Sequence, residues 1–268
     1  MTSTVPHDAG SARGARALRG FVGVAVLFML LEALTRAELV NPTYLPPASS
    51  VVATTGQILV DPEFLANVAG TMAAWALGML IAIAIAVPIG LILGSSLRSY
   101  LAATTAIEFL RPIPSVALIP LAILIMGRGL DMKVALIVYA SVWPILFNTI
   151  YGIREVDPIA RETARAFGFG RLAIAWKVSL RSASPFIYTG IRVSAAIALI
   201  LAISTELIAG GGLGIGTWML ANSQTGVPRE FLYAGIVVAG LLGLVINTIM
   251  VAGERRLFAW HQRVRGAA

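Results

Sequence analysis

Phe64–Leu97, FLANVAGTMAAWALGMLIAIAIAVPIGLILGSSL, contains no charged side chain and is closed by Glu63 on one side and Arg98 on the other. A helix crossing the hydrocarbon core of a bilayer needs about 20 largely apolar residues. The alanine, valine and isoleucine texture around a lone Pro88 predicts one long helix over about 67–94, kinked at the proline. Two further clean stretches lie downstream. Val134–Ile153 sits between Lys133 and Arg154, and Phe231–Gly253 between Glu230 and Glu254.

Three other stretches qualify under conditions. Gly20–Leu31 spans only if Glu32 reaches the far interface, Pro112–Gly127 only if Glu108 and Arg111 join its helix, and Ser184–Ile208 carries Arg192 and Glu206. Together these readings predict an all-α, polytopic membrane protein with six spans, at about 18–35, 67–94, 106–127, 133–153, 185–208 and 231–253. Composition supports this class. The chain is 58% apolar and 12% charged, with a mean hydropathy of +0.86, whereas a soluble domain carries about 25% charged residues. Too few polar groups remain to cover a water-facing surface, and the same figures exclude disorder, coiled coil and collagen.

The net charge is +7. In a soluble chain this would suggest nucleic acid; here it fits cytoplasmic segments, because basic segments resist translocation. With both termini inside, the inner segments hold Arg13, Arg16, Arg19, Arg98, Arg154, Arg161, Arg165, Arg171, Lys177, Arg181, Arg255, Arg256, Arg263 and Arg265. The outer loops hold only Arg36, Arg128, Lys133 and Arg229, while Arg111 and Arg192 fall within spans. One helix more or fewer would put the basic C-terminus on the wrong side. Residues 1–17 then form a cytoplasmic tail, 18–260 the transmembrane region, and 261–268 a second tail; the first fifteen residues read as disordered. A cleaved signal peptide is the rival for the first span, but Arg36 interrupts the small residues of Ala33–Ala37. The outer loop 37–63 is rich in Pro, Ser, Thr and Asn, and Asn41–Pro47 reads as extended irregular chain. There is no cysteine, and His7 and His261 lie in the tails, which removes thiolate and most zinc or triad chemistry.

The cytoplasmic loop 154–184 is the informative segment. Asp157 before Pro158 predicts a helix start, with an N-cap acceptor followed by proline at the first helical position. Gly168 and Gly170 predict its stop. The helix, 158–167, places Ile159, Thr163 and Phe167 on one stripe and Arg161 and Arg165 on another. So short a helix is marginal alone in water and must be held by packing. A solvated basic loop accounts for the arginines but leaves the capped helix, the glycines and Phe167 unexplained. A partner with a groove accounts for all of them.

Glu162-Thr163-Ala164, three residues, Gly168, nine residues, Val178-Ser179-Leu180 resembles the cytoplasmic EAA loop of bacterial ABC importer permeases. It departs from that pattern at Thr163, where the family has alanine, and at Arg181, where it has proline, which leaves open how the second helix of the loop ends before Pro185. Leu110–Leu121, Val156-Asp157-Pro158, Pro185–Arg192 and Glu206–Gly214 extend the likeness to the nitrate/sulfonate/taurine/bicarbonate permease subfamily. The resemblance implies a type I importer permease fold in the bacterial cytoplasmic membrane. It also implies two permease subunits, two ABC ATPase subunits carrying ATP-Mg, and an extracytoplasmic solute-binding protein; a lone six-span chain makes the expected second permease an identical copy, a homodimer. In that family the loop docks on the ATPase, so Asp157, Ile159, Glu162, Thr163, Ala164, Phe167 and Gly168 become the expected docking residues.

The chain itself has no G-x-x-x-x-G-K-[ST] motif, so no cofactor is expected on it and energy must come from elsewhere. Gly210–Gly216 lies on the outer side in this topology, either as irregular backbone at the mouth of the path or as a floppy loop. Candidate path or gate residues are Glu206, Ser204, Thr205, Arg111 and Asn148, because intramembrane polar groups usually face a bundle interior or water. For Glu206 the alternative is a carboxylate hydrogen-bonded to the glycine loop. Glu108 and Arg111 form an i,i+3 pair that can neutralise itself. Gly90 and Gly94 permit a close helix approach. Neither nucleic acid nor catalysis is expected; the rival function is an ATPase-independent secondary transporter, disfavoured by the lack of inverted repeats and of intramembrane charge pairs.

Overall fold

The structure, a computed structural model, describes residues 9–37, 39–41 and 44–258. Every regular element among them is helical. In chain order these are α1 (Ala9–Arg36), α2 (Ala48–Ile58), α3 (Pro62–Ser95), α4 (Leu97–Leu110), a 3-10 turn (Ser115–Leu118), α5 (Ile119–Met126), α6 (Leu130–Arg154), α7 (Pro158–Ala166), α8 (Arg171–Ile174), a π turn (Ala175–Ser179), α9 (Leu180–Ala209), α10 (Ile215–Gln224) and α11 (Glu230–Leu257).

Helices α3, α6 and α9 form the centre, around a cluster that includes Ala74, Ala82, Ala86, Ile137, Ile145, Ala198 and Ala202. Small residues on α3 bring it close to α6. A methyl group at Gly90 would stand 2.6 Å from Thr149 Cβ, and one at Gly94 2.8 Å from Ile153 Cβ. Between apolar helices in lipid, such close packing is a main source of attraction. Polar ties join the same helices: Trp75 Nε1 donates to the Ala195 carbonyl at 2.9 Å, and Ser194 Oγ to the Ser141 carbonyl at 2.8 Å. Overpacking a well-fitted core costs about 1–3 kcal/mol. Gly90→Leu should therefore lower the thermal unfolding midpoint in mild detergent by several degrees, whereas leucine at Gly20, which has no neighbour within 4 Å, should not.

Several boundaries differ from the sequence reading. The helix expected over 67–94 begins at Pro62, capped by Asp61, whose side chain accepts from the Glu63 N–H at 3.0 Å. It runs through Pro88 to Ser95. The expected span 106–127 is not one helix: α4 starts at Leu97, breaks at Arg111–Pro114, and resumes with the axis bent by 72°. Pro114 cannot donate to the Leu110 carbonyl as a helix requires, and that carbonyl instead accepts from Tyr139 Oη at 2.6 Å. The opposite happens at Pro185. The carbonyl of Arg181 that it leaves free accepts from Ser184 Oγ at 2.8 Å, and Arg171–Ala209 is one continuous helix with a π turn inside it. Half of the expected cytoplasmic loop therefore belongs to the helix of the following span.

The stretch 37–63, read as an outer loop, holds α2 directly after the segment Asn41–Pro47. Pro47 cannot cap it, but Glu32 on α1 does, accepting from Ser49 N–H at 2.9 Å and Ser49 Oγ at 2.8 Å while Arg36 pairs with it at 2.7 Å. Residues 9–17, expected in the tail, are helical in α1; residues 1–8 and the second tail, 261–268, lie outside the described residues. Among the described residues, α3, α6, Arg171–Ala209 and α11 are each long and apolar enough to cross a membrane, and α4 with Ser115–Met126 meets the same requirement only as a bent pair, a broken span or a re-entrant loop.

Candidate functional sites: a capped helix and a buried ion pair at opposite ends of the bundle

Helix α7 starts as its sequence dictates. Asp157 Oδ1 accepts from the Ile159 N–H at 2.8 Å, and Pro158 occupies the first turn. Its end is a Schellman turn. Phe169 N–H reaches back to the Ala164 carbonyl at 3.1 Å and Gly168 N–H to that of Arg165 at 2.9 Å, with Gly168 at φ +79°. Two backbone donors and two carbonyls are thus satisfied without a partner. One face of α7 packs inward through buried Ala164 and through Arg161, whose Nη2 donates to the Ile153 carbonyl at the end of α6. Burial first, and then the neighbouring Arg165 charge, lowers the Arg161 guanidinium from its ordinary value.

The other face is bare. Ile159 is 70% and Phe167 79% exposed, and Glu162 and Thr163 are exposed beside them. Apolar side chains presented to water from a helix locked at both ends make a ready-made ridge for a groove. The expected docking residues divide accordingly. Asp157, Ala164 and Gly168 build the helix, whereas Ile159, Glu162, Thr163 and Phe167 form its free surface.

At the other end of α6 lies the most connected polar cluster. Lys133 Nζ meets Glu206 Oε1 at 3.1 Å and donates to the Leu213 carbonyl at 2.8 Å; both side chains are essentially buried. Thr71 Oγ1 donates to Glu206 Oε2 at 2.9 Å and accepts from Ile215 N–H at 2.9 Å. Gly216 N–H donates to Glu206 Oε2 at 3.1 Å, and Gly214 N–H to Asn67 Oδ1 at 2.9 Å. The glycine run is therefore pinned on three helices and not floppy. A side chain at Gly214 would overlap the Glu206 carboxylate, so glycine here is required by close approach. Lys133, assigned from sequence to an outer loop, is in fact half of a buried charge pair in the first turn of α6, so the absence of such pairs no longer counts against a secondary transporter. That pair, however, is closed off by its own partners.

The remaining candidates are dispersed. Thr205 is buried and donates to the Leu201 and Ala202 carbonyls at 2.9 and 2.7 Å, and Ser204 beside it is half-buried. Asn148 Nδ2 donates to its own helix at the Pro144 carbonyl, 2.8 Å away. Arg111 does not pair with Glu108; its guanidinium lies over the Phe147 ring, 4.6 Å from the centroid. Glu108, Arg111 and Phe147 line a recess of about 150 Å³ between α4 and α6. Arg192, midway along α9, pairs with Glu254 of α11 at 3.1 Å, a contact not anticipated from the sequence.

Residues 86–259 match the family described as the inner membrane component of binding-protein-dependent transport systems. The chain belongs to that family. Similar proteins include the putative aliphatic sulfonates transport permease SsuC of Bacillus subtilis, 28% identical over 93% of this chain and 90% of that one. The taurine transport permease TauC of Escherichia coli is 27% identical over 90% and 89%. The nitrate import permease NrtB of Leptolyngbya laminosa is 25% identical over 75% and 74%. Among solved structures, a chain of the MetNI methionine ABC transporter in an inward-facing conformation superposes with a TM-score of 0.62 at 18% identity, covering 73% of this chain and 98% of that one. The fold is thus that of ABC importer permeases, and the chain is a multi-pass membrane component of such a transport system.

Proposed function

We propose that the chain imports a small anion, an aliphatic sulfonate, taurine, nitrate or a close analogue, with energy delivered by a separate ABC ATPase that docks on α7. The substrate class rests on the similar permeases named above. The coupling rests on one observation: α7 is capped at both ends by its own residues, yet leaves Ile159, Glu162, Thr163 and Phe167 without a partner. In this reading two ATPases, each with ATP-Mg, grip the α7 helices of two permease copies, and an extracytoplasmic binding protein delivers the solute. ATP binding draws the α7 helices together and opens the cavity outward; hydrolysis and product release reset it. The six-span topology follows, with α1 as the first crossing, both termini in the cytoplasm of a bacterial cell and α7 on the cytoplasmic side. The Lys133–Glu206 end then faces outward and keeps α3, α6 and α9 moving as one body.

The natural chain has no cysteine, so single cysteines report sidedness directly. A membrane-impermeant maleimide should label Leu213→Cys in intact cells and Thr163→Cys only after permeabilisation; the reverse pattern would invert the proposal. Uptake of labelled taurine, an alkanesulfonate or nitrate should fall to background when the chain is deleted. It should also collapse on ATP depletion with the ion gradients maintained. Uptake that survives ATP depletion would favour an ATPase-independent transporter instead.

A further inference from the structure

The inward face of α7 borders a second feature that the import reading does not use. Arg161 and Arg165 of α7, Arg171 of α8 and Ser95 and Ser96 at the end of α3 line a cavity of about 390 Å³, with no carboxylate on its walls. Arg161 Nε is buried there and makes no hydrogen bond within the described residues. Three guanidinium groups around one hollow repel one another unless an anion joins them.

Ser95, Arg171 and Ala175 are shared with a neighbouring hollow of about 480 Å³, whose other walls are Pro88, Leu91, Ile92, Leu172 and Trp176. That second hollow is almost wholly apolar, and Ile92, Leu172 and Trp176 are exposed along it. Leu91 and Ile92 belong to the membrane-crossing helix α3, and Trp176 stands beside its end. Tryptophan is favoured at the level of lipid headgroups. An anionic compartment therefore opens into an acyl-chain compartment at the edge of a span.

We infer that this paired cavity is a binding site for an anionic phospholipid, its phosphate held by Arg161, Arg165 and Arg171 and its acyl chain laid along Ile92, Leu172 and Trp176. Charge complementarity selects the lipid class: the first hollow offers guanidinium and hydroxyl groups to a phosphate and no carboxylate to pair with a choline cation. A free inorganic anion satisfies the first hollow and leaves the second exposed. Because Arg161 and Arg165 lie on α7, the bound phosphate ties the docking helix to the end of α3, and the membrane's anionic lipid becomes part of what holds α7 in place. The placement at the inner leaflet rests on the topology proposed above.

Native mass spectrometry of the purified full-length permease, without any ATPase, tests the site. With phosphatidylglycerol and phosphatidylcholine offered at equal concentration, phosphatidylglycerol should be retained preferentially. Each arginine removed should cost about fivefold in retention. The Arg161→Gln/Arg165→Gln/Arg171→Gln variant should lose the preference, while Arg255→Gln, which lines neither hollow, should keep it. Leu172→Asn, which leaves all three charges, should weaken retention of the lipid but not of inorganic phosphate. Equal retention of both lipids, an unchanged preference in the triple variant, or complete displacement by millimolar inorganic phosphate would overturn the proposal. So would loss of preference in the Arg255→Gln control. A permease that keeps its lipid preference but recruits no ATPase would instead count against the docking reading alone.

Discussion

Lys133→Met should be the most damaging single substitution in the chain, lowering the unfolding midpoint in mild detergent by about 10 °C. Removing one member of a buried ion pair leaves the other uncompensated, at a cost of about 3–5 kcal/mol. Glu206 would keep its bonds from Thr71 Oγ1 and the Gly216 N–H but carry a charge with no counter-charge. The Leu213 carbonyl would lose its donor as well, and the glycine run its tie to α6. Adding Glu206→Gln should restore part of the loss, because a neutral amide needs no cation. Arg192→Met should cost far less, since both partners of the Arg192–Glu254 pair stay partly solvated. A Lys133→Met protein as stable as the parent would show that the pair does not hold this end together.

Phe167→Ala should weaken binding to the ATPase by about 30–700-fold, the span of a 2–4 kcal/mol hot-spot aromatic. Its side chain is almost free of the rest of the chain, so the permease's own unfolding midpoint should not move. Gly168 separates two causes. Gly168→Ala strains a residue at φ +79°, worth about 1–2 kcal/mol, with no neighbour in its way. Gly168→Asp adds a charge beside Phe167 that a docked interface would have to bury, so it should abolish docking where alanine only weakens it. Titration of the detergent-solubilised permease with the purified ATPase measures both.

What the sequence made legible follows from how local the chemistry is. The start and end of α7 are written within twelve residues, Asp157 to Gly168, because caps and Schellman turns bond neighbours in the chain. Gly90 and Gly94 were readable for a similar reason, as small residues one turn apart. Lys133 was not: its partner lies 73 residues on, and a lysine at the edge of an apolar stretch reads equally as a loop charge. Helix α2 escaped notice because its hydroxyl and β-branched residues are weak helix formers, and its cap comes from Glu32 on another helix. At two prolines the freed carbonyl finds a hydroxyl donor, once from another helix and once from its own. Tyr139 takes the Leu110 carbonyl where the chain breaks, whereas Ser184 takes that of Arg181 from within and the helix continues.

In the proposed importer, α7 is where an ATPase couples to this membrane subunit. The most direct measurement is purification of the tagged chain from its own membranes in mild detergent, with mass spectrometry of what accompanies it. An ABC ATPase should accompany it in roughly equal amount, retained with Gly168→Ala and lost with Gly168→Asp while the permease itself remains inserted. Recovery of the permease without any nucleotide-binding protein, repeated after crosslinking in intact cells, would contradict it.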